Sequence, residues 1–277
     1  DNNPLYACEG TTASFIDEEG NEETTVTRNF GFLPASKVPW FQIKDSDMGS
    51  NGTISSKIPS TCQPPTCFPY FDLTGDGGFP GVVIHKSSVN FGTGEVSEEG
   101  WIANAGYSNT RVYSANYYIG NIPSDAVINT VPLSSIEGSF LGSEGTPTNG
   151  YYWYLYDGSQ NAGAPLTITS GVDLGERKVV LMVKNADINI EGNINLTKGQ
   201  GFFLGLTTGD INISPLIGGG DGPNLEGVYI ADGTFHSGSG GGNLDIQLKV
   251  RGSVAAHSGI NLERDLGELS NPVSPSE

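Results

Sequence analysis

Four groups of residues in this 277-residue chain have types and spacings that could carry chemistry. The first is Asp72-Leu-Thr-Gly-Asp-Gly77, where oxygen-bearing side chains alternate and glycine takes the sixth place. A calcium loop begins this way, with Asp72, Thr74 and Asp76 as candidate ligands. Its twelfth position is Val83, however, where an EF-hand needs a bidentate acid. A glycine-rich turn whose aspartates cap backbone amides explains the same residues. Asp45-Ser-Asp47 is a weaker version of the pattern. The second group is Cys62-Gln-Pro-Pro-Thr-Cys67, a tight proline-containing loop that suits a local disulfide in an oxidising compartment. The spacing also allows half a zinc site. Against that, no second Cys/His pair follows at close spacing, and the histidines are His85, His236 and His257. Cys8 is then the odd cysteine, free, bonded to another chain or paired with one of these two.

The third group is Asp187 and Asp210, each within Asp-Ile-Asn-Ile. Stacked one strand apart, about 4.8 Å, two carboxylates could form an acid/base pair. Aspartates at a solvated corner, accepting turn hydrogen bonds, are the alternative. Solenoid pectin-degrading enzymes cluster Asp with His and Arg on one face. Here His236 and His257 lack a matching Asp cluster in the local sequence. The fourth group is Tyr151-Tyr-Trp-Tyr-Leu-Tyr156, in which Tyr151, Trp153 and Tyr154 are candidates for stacking on sugar rings. The alternative is that these aromatics are core. Arg264 and Asp265 read as a structural pair. The chain has no Gly-x-Ser-x-Gly elbow, His-Glu-x-x-His helix or Walker lysine, and no catalytic residue is assigned.

Composition limits which elements can position these groups. Forty glycines and 16 prolines leave little room for long helices. Hydrophobic residues are 36 %, enough for a sizeable core. Thirteen basic against 31 acidic residues give a net charge of −18, which argues against a nucleic-acid binder. No apolar run reaches the roughly 18 residues of a membrane span. A chain that opens at Asp1 without an initiator Met reads as a mature product or a segment of something longer. Few lysines and arginines, many Ser, Thr and Asn and two methionines fit a secreted protein; Asn51-Gly-Thr, Asn195-Leu-Thr and Asn212-Ile-Ser are glycosylation sequons, triplets that are common by chance.

An internal repeat organises the C-terminal third. Ala186-Asp-Ile-Asn-Ile190 recurs as Gly209-Asp-Ile-Asn-Ile213, and Val180-Leu-Met-Val183 aligns with Phe203-Leu-Gly-Leu206 at the same step of 23. Val228-Tyr-Ile-Ala231 and Leu248-Lys-Val250 continue the series at steps of 25 and 20, while Asp232–Phe235 and Ser253–Ala256 fill the second-strand position. Short alternating strands at such a period imply an all-β fold of the parallel β-helix (β-solenoid) type, with Ile188, Ile190, Ile211 and Ile213 inward. Phe41–Ile43 and Gly52–Ile58 look like an early coil. The expected divisions are an N-terminal arm at 1–36, a first coil at 37–60 and an inserted, aromatic-rich, mainly antiparallel subdomain at 61–175. The coils resume over 176–266, and a tail follows at 267–277. Within the arm, Thr11–Phe15 and Thr24–Phe32 suggest two strands around an acidic turn. Phe15, Ile16, Phe30 and Phe32 would bury it on a sheet edge.

Six motifs stand in a recognisable order: Pro39–Gln42, Phe79–Val83, Ser97–Trp101, Leu225–Asp232, Gly252–Ala256 and Leu262–Leu266. Over about residues 37–277 the chain resembles the secreted surface proteins frequent in candidate-phyla-radiation (Patescibacteria-type) bacteria. That resemblance implies a β-solenoid carried on a longer extracellular chain, and brings no catalytic residue with it. The resulting expectation is an extracellular structural protein without enzymatic activity, a subunit of a filament, stalk or surface layer. It would self-associate head-to-tail or by strand exchange and need no cofactor, with calcium as the one candidate. The competing expectations are an adhesin that binds surface glycans through the Tyr/Trp-rich stretch, and a β-helical polysaccharide hydrolase or lyase.

Overall fold

The computed structural model describes residues 15–16, 22–23, 41–56, 71–74, 81–90, 104–106, 114–241 and 245–266. In chain order, β1 (Phe15–Ile16) and β2 (Glu22–Glu23) pair antiparallel with each other. Next come β3 (Phe41–Lys44), β4 (Met48–Ser50) and β5 (Thr53–Ser56), then β6 (Phe71–Thr74), β7 (Val83–His85) and β8 (Val89–Asn90). After β9 (Asn104–Gly106) stands a short helix, α1 (Ala115–Gly120). β10 (Ile128–Thr130) and β11 (Ser135–Ile136) precede a second short helix, α2 (Gly138–Ser143). β12 (Tyr151–Asp157), β13 (Leu166–Ile168), β14 (Val172–Gly175) and β15 (Lys178–Lys184) follow. The series continues through β16 (Ile188–Ile190), β17 (Ile194–Leu196), β18 (Phe202–Thr207), β19 (Ile211–Ile213) and β20 (Leu225–Glu226). It closes with β21 (Val228–Ala231), β22 (Thr234–His236), β23 (Leu248–Arg251), β24 (Val254–Ala256) and β25 (Gly259–Leu262).

Apart from β1 and β2, these strands form three parallel sheets. The first has nine strands in the order β10-β12-β15-β18-β21-β24-β4-β7-β9. The second has eight, β11-β13-β16-β19-β22-β25-β5-β8, and the third six, β14-β17-β20-β23-β3-β6. From β3 to β8 and again from β12 to β25, consecutive described strands visit the three sheets in rotation; β9 and β10 both lie in the first sheet, and β11 leads straight to β12 without a third-sheet strand between them.

Alternation explains the core. In β16 and β19 the flanking isoleucines are buried and the middle asparagine faces outward. Ile188 pairs with Ile211 and Ile190 with Ile213, and all four are at most 2 % exposed. The inward row continues along the second sheet through Phe235, Ile260 and Ile54. The third sheet contributes Val172, Ile194, Leu225, Val250 and Ile43 as a matching row. Gly205 leaves its inward place to the rings of Phe203 and Tyr229, whose centroids are 5.7 Å apart.

Three sequence expectations are corrected. The described part of 61–175 is not mainly antiparallel: its strands pair parallel within the same three sheets, and an isolated Thr148–Tyr151 bridge is the one antiparallel pairing among the described residues of this stretch. Between β11 and β12 the period is broken by α2 and the turn after it, which lengthen the path. The register between β15 and β18 also differs by one from the repeat, since Val180 faces Leu204 rather than Phe203. The corner after β15 holds an extra residue, taken up where Asn185 adopts a left-handed φ of 56°. Finally, Leu248–Val250 lies in the third sheet, facing Phe41–Ile43, while Tyr229 continues to Val254 in the first. The apparent step of 20 compared strands of different sheets.

Candidate functional site

Among the described residues, the outer face of the second sheet carries a regular row of neutral polar side chains, whereas the outward positions of the third sheet hold charged ones such as Asp173, Glu226, Arg251 and Lys44. The row on the second sheet runs Ser135, Thr167, Asn189, Asn212, His236, Asn261, Ser55 and Asn90, one residue per strand. Side-chain bonds join neighbouring rungs. Asn212 Nδ2 donates to Asn189 Oδ1 (3.1 Å), and Asn189 Nδ2 donates to Thr167 Oγ1 (3.3 Å). His236 Nδ1 lies 3.0 Å from Glu263 Oε1 and 3.5 Å from Asn261 Nδ2. The second Glu263 oxygen accepts the Gly238 N–H at 3.3 Å. An ionised carboxylate only accepts, so the short contact to Glu263 is one in which Nδ1 donates. The pair is accessible, with side chains 28 % and 31 % exposed.

Asp187 and Asp210 flank this row but do not form an acid/base pair. Asp187 Oδ1 accepts the Asp210 N–H at 2.8 Å, and Asp210 Oδ1 accepts the Thr234 N–H at 2.7 Å. Each carboxylate lies over a glycine of the next turn. A Cβ on Gly209 would come within 2.2 Å of Asp187 Oδ1, and one on Gly233 within 1.9 Å of Asp210 Oδ1. The corner thus needs both residue types, Asp to satisfy an amide and Gly to leave it room. Asp47 does the same for the Val82 N–H at 2.7 Å.

The aromatic group divides by strand parity. Tyr154 and Tyr156 point inward and are fully buried, with hydroxyls donating to the carbonyls of Glu144 (2.5 Å) and Ala164 (2.8 Å). Burial raises the pKa of both phenols. Tyr154 is therefore removed as a sugar-stacking candidate. Tyr151 and Trp153 lie on the outer face of the first sheet, half-buried, with ring centroids 6.1 Å apart. They pack against a second apolar cluster in which Ala115 of α1 joins Val180, Met182, Leu206 and Ile230 of the first sheet. The Ala115 N–H donates to Asp232 Oδ1 at 2.7 Å, and His257 Nδ1 lies 3.6 Å from the same oxygen. These contacts tie α1 to the turn after β21.

Arg264 is a buried clamp. Its guanidinium donates to the carbonyls of Ser237 (2.8 Å), Pro215 (2.7 Å), Ile246 (3.2 Å) and Ser214 (2.9 Å). Burial lowers its pKa to about 10, opposed by the nearby Asp245 and Glu263 carboxylates. The reading of Arg264 as half of a pair with Asp265 missed these four carbonyls. Asp265 supplies an N–H to Asp245 Oδ2 at 2.7 Å. A separate hollow of about 320 Å³ lies between α2 and β11, lined by Leu133, Ile136, Phe140 and polar neighbours.

Asp72 and Thr74 fall in β6, facing Gln42 and Lys44, whereas Asp76 lies outside the described residues. Among the described residues no group of three or more His, Cys, Asp or Glu side chains is placed to hold a metal ion. Cys8, Cys62 and Cys67 lie outside the described residues, as do Phe30 and Phe32. Phe15 and Ile16 form β1 and face Glu23 and Glu22. The sequence reading missed the row of Asn189, Asn212, His236 and Asn261. Its signal was present in the twin Asp-Ile-Asn-Ile segments, whose central asparagines share a position between inward isoleucines.

No family model, curated protein or solved structure matches the chain.

Proposed function

We propose that the three parallel sheets are the walls of one β-solenoid, and that the protein is an extracellular structural protein, a subunit of a filament, stalk or surface layer. One observation carries the assembly reading. Strands β3, β4 and β5 pair with β23, β24 and β25, segments more than 200 residues away in sequence. Phe41 faces Leu248, Met48 faces Val254 and Ile54 faces Ile260, and all six are at most 1 % exposed. Burying a large side chain is worth about 1.5–3 kcal/mol, so this seam is a strong interface within one chain.

The same seam can join two chains. The strands over 41–106 from a second copy would meet identical partners on β23–β25, so exchange costs no native contact. A chain that gives its first strands to one neighbour and receives those of another builds an open series. Exchange is preferred here to stacking of ends. At the β10/β11/β14 end, α2 packs on β14, with the Gly142 Cα side against Val172. Beside it the Asn129 amide pairs with the backbone N–H and C=O of Thr146. An N-terminal arm containing Phe15 and Ile16 would add to the joint. The extracellular assignment rests on the composition and the Cys62/Cys67 spacing. No helix among the described residues is long and apolar enough to cross a membrane.

Light scattering and negative-stain imaging of the full chain test the reading. Concentration-dependent, open-ended assemblies are expected. A monodisperse monomer throughout the concentration range would overturn it.

A further inference from the structure

We infer that the outer row of the second sheet, from Thr167 through Asn189, Asn212, His236 and Asn261 to Ser55, binds a linear, uncharged polysaccharide lying along the stack of strands. The inference holds equally for a lone chain and an assembled one.

Repetition is the first reason. The six side chains occupy equivalent positions on adjacent strands. They therefore recur at the strand spacing of about 4.8 Å. An extended sugar chain advances by about that distance per ring, so each ring meets a similar set of donors and acceptors. Hydrogen-bonding capacity is the second reason. The rung-to-rung bonds of Asn189 and Asn212 use one amide hydrogen each, and an Asn amide has two donors and two lone pairs. The remaining groups can bond hydroxyls, which both donate and accept. His236 adds an outward Nε2 because Glu263 holds Nδ1.

Rigidity is the third reason. Ile188, Ile190, Ile211, Ile213, Phe235 and Ile260 are buried on either side of the row, and the amides are already tied to one another. Little side-chain freedom is lost when a ligand binds such a surface. Charge selects the class of polymer. A net charge of −18 repels polyanions. Three of the acids beside the row are also engaged: Asp187 and Asp210 by backbone N–H groups, Glu263 by His236 and Gly238. The row itself offers neutral amides and hydroxyls, which suits a neutral chain over a cationic one.

The test is calorimetric titration of the full chain with cello-, acetylated chito- and laminari-oligosaccharides of increasing length. In at least one series, affinity should rise with each ring up to about six, the length of the row. The Asn212→Ala/Asn261→Ala double variant should lose about tenfold or more, the worth of one to two hydrogen bonds, while keeping its melting temperature. Should that variant melt early, Asn212→Gln/Asn261→Gln keeps the amides, displaces them, and should show the same loss. Lys178→Ala on the first sheet should bind as wild type does. Absence of binding in all three series, affinity independent of length, an undiminished Asn variant, or binding to a deacetylated cationic chain alone would each overturn the inference.

Discussion

The outer faces of the first and second sheets rest on the same turns of chain yet are opposite in character. On the first sheet the outward row is Leu155, Met182, Leu206 and Ile230, and α1 covers it. On the second, the outward row is Thr167, Asn189, Asn212 and His236, partly exposed. The inward rows of both sheets are aliphatic and aromatic, and either face would support the backbone ladder equally well. What differs is therefore the demand for a covering element. An apolar outer row must be paid for with a helix or a partner, whereas a polar row can stay in water.

Substitutions can break this comparison at graded cost. Ile211→Asp, on the inner side shared by both faces, should be most severe. A buried unpaired carboxylate there costs about 4 kcal/mol or more, read as loss of cooperative unfolding or a collapse of the melting temperature. Met182→Asp reaches only the covered outer face. It should cost about 2–3 kcal/mol and speed amide exchange over 114–122, with the second sheet's exchange unchanged. Asp232→Ala removes the acceptor of the Ala115 N–H, and should cost about 1 kcal/mol with the same local signature at α1. Asn212→Ala, alone on the polar face, should cost less than about 1 kcal/mol in urea unfolding. A loss as large as that of Met182→Asp would mean that the polar row is structural in the way the apolar row is.

The legible part of the fold was where turns are short and strands repeat. Ile188, Ile190, Ile211 and Ile213 are inward, as their alternation implied. The third strand of each turn was harder to read, because β17 and β20 are brief and Leu225–Glu226 shows too few residues for a period. The register slip at Lys184–Asn185 hid in a single extra corner residue, and one residue is enough to exchange the two faces of a strand. Pairing of β3–β5 with β23–β25 leaves no local trace, since nothing in Phe41–Lys44 names a partner near residue 250. At the candidate site, Asp187 and Asp210 drew attention as titratable groups, while the neighbouring asparagines carry the regular surface. The Tyr/Trp stretch misled through parity, as Trp153 and Tyr154 necessarily point to opposite sides.

The seam is where the account is most exposed, and a disulfide across it is the direct measurement. Ser55 and Asn261 face each other on β5 and β25 with outward side chains. Two full-length single variants, Ser55→Cys and Asn261→Cys, are unfolded together, refolded as a mixture and oxidised, and the cross-linked peptides are mapped by mass spectrometry. Exchange between chains predicts a disulfide-linked species joining residue 55 of one variant to residue 261 of the other. A mixture in which that link never forms, while the Ser55→Cys/Asn261→Cys double variant closes it within one chain, would contradict the account.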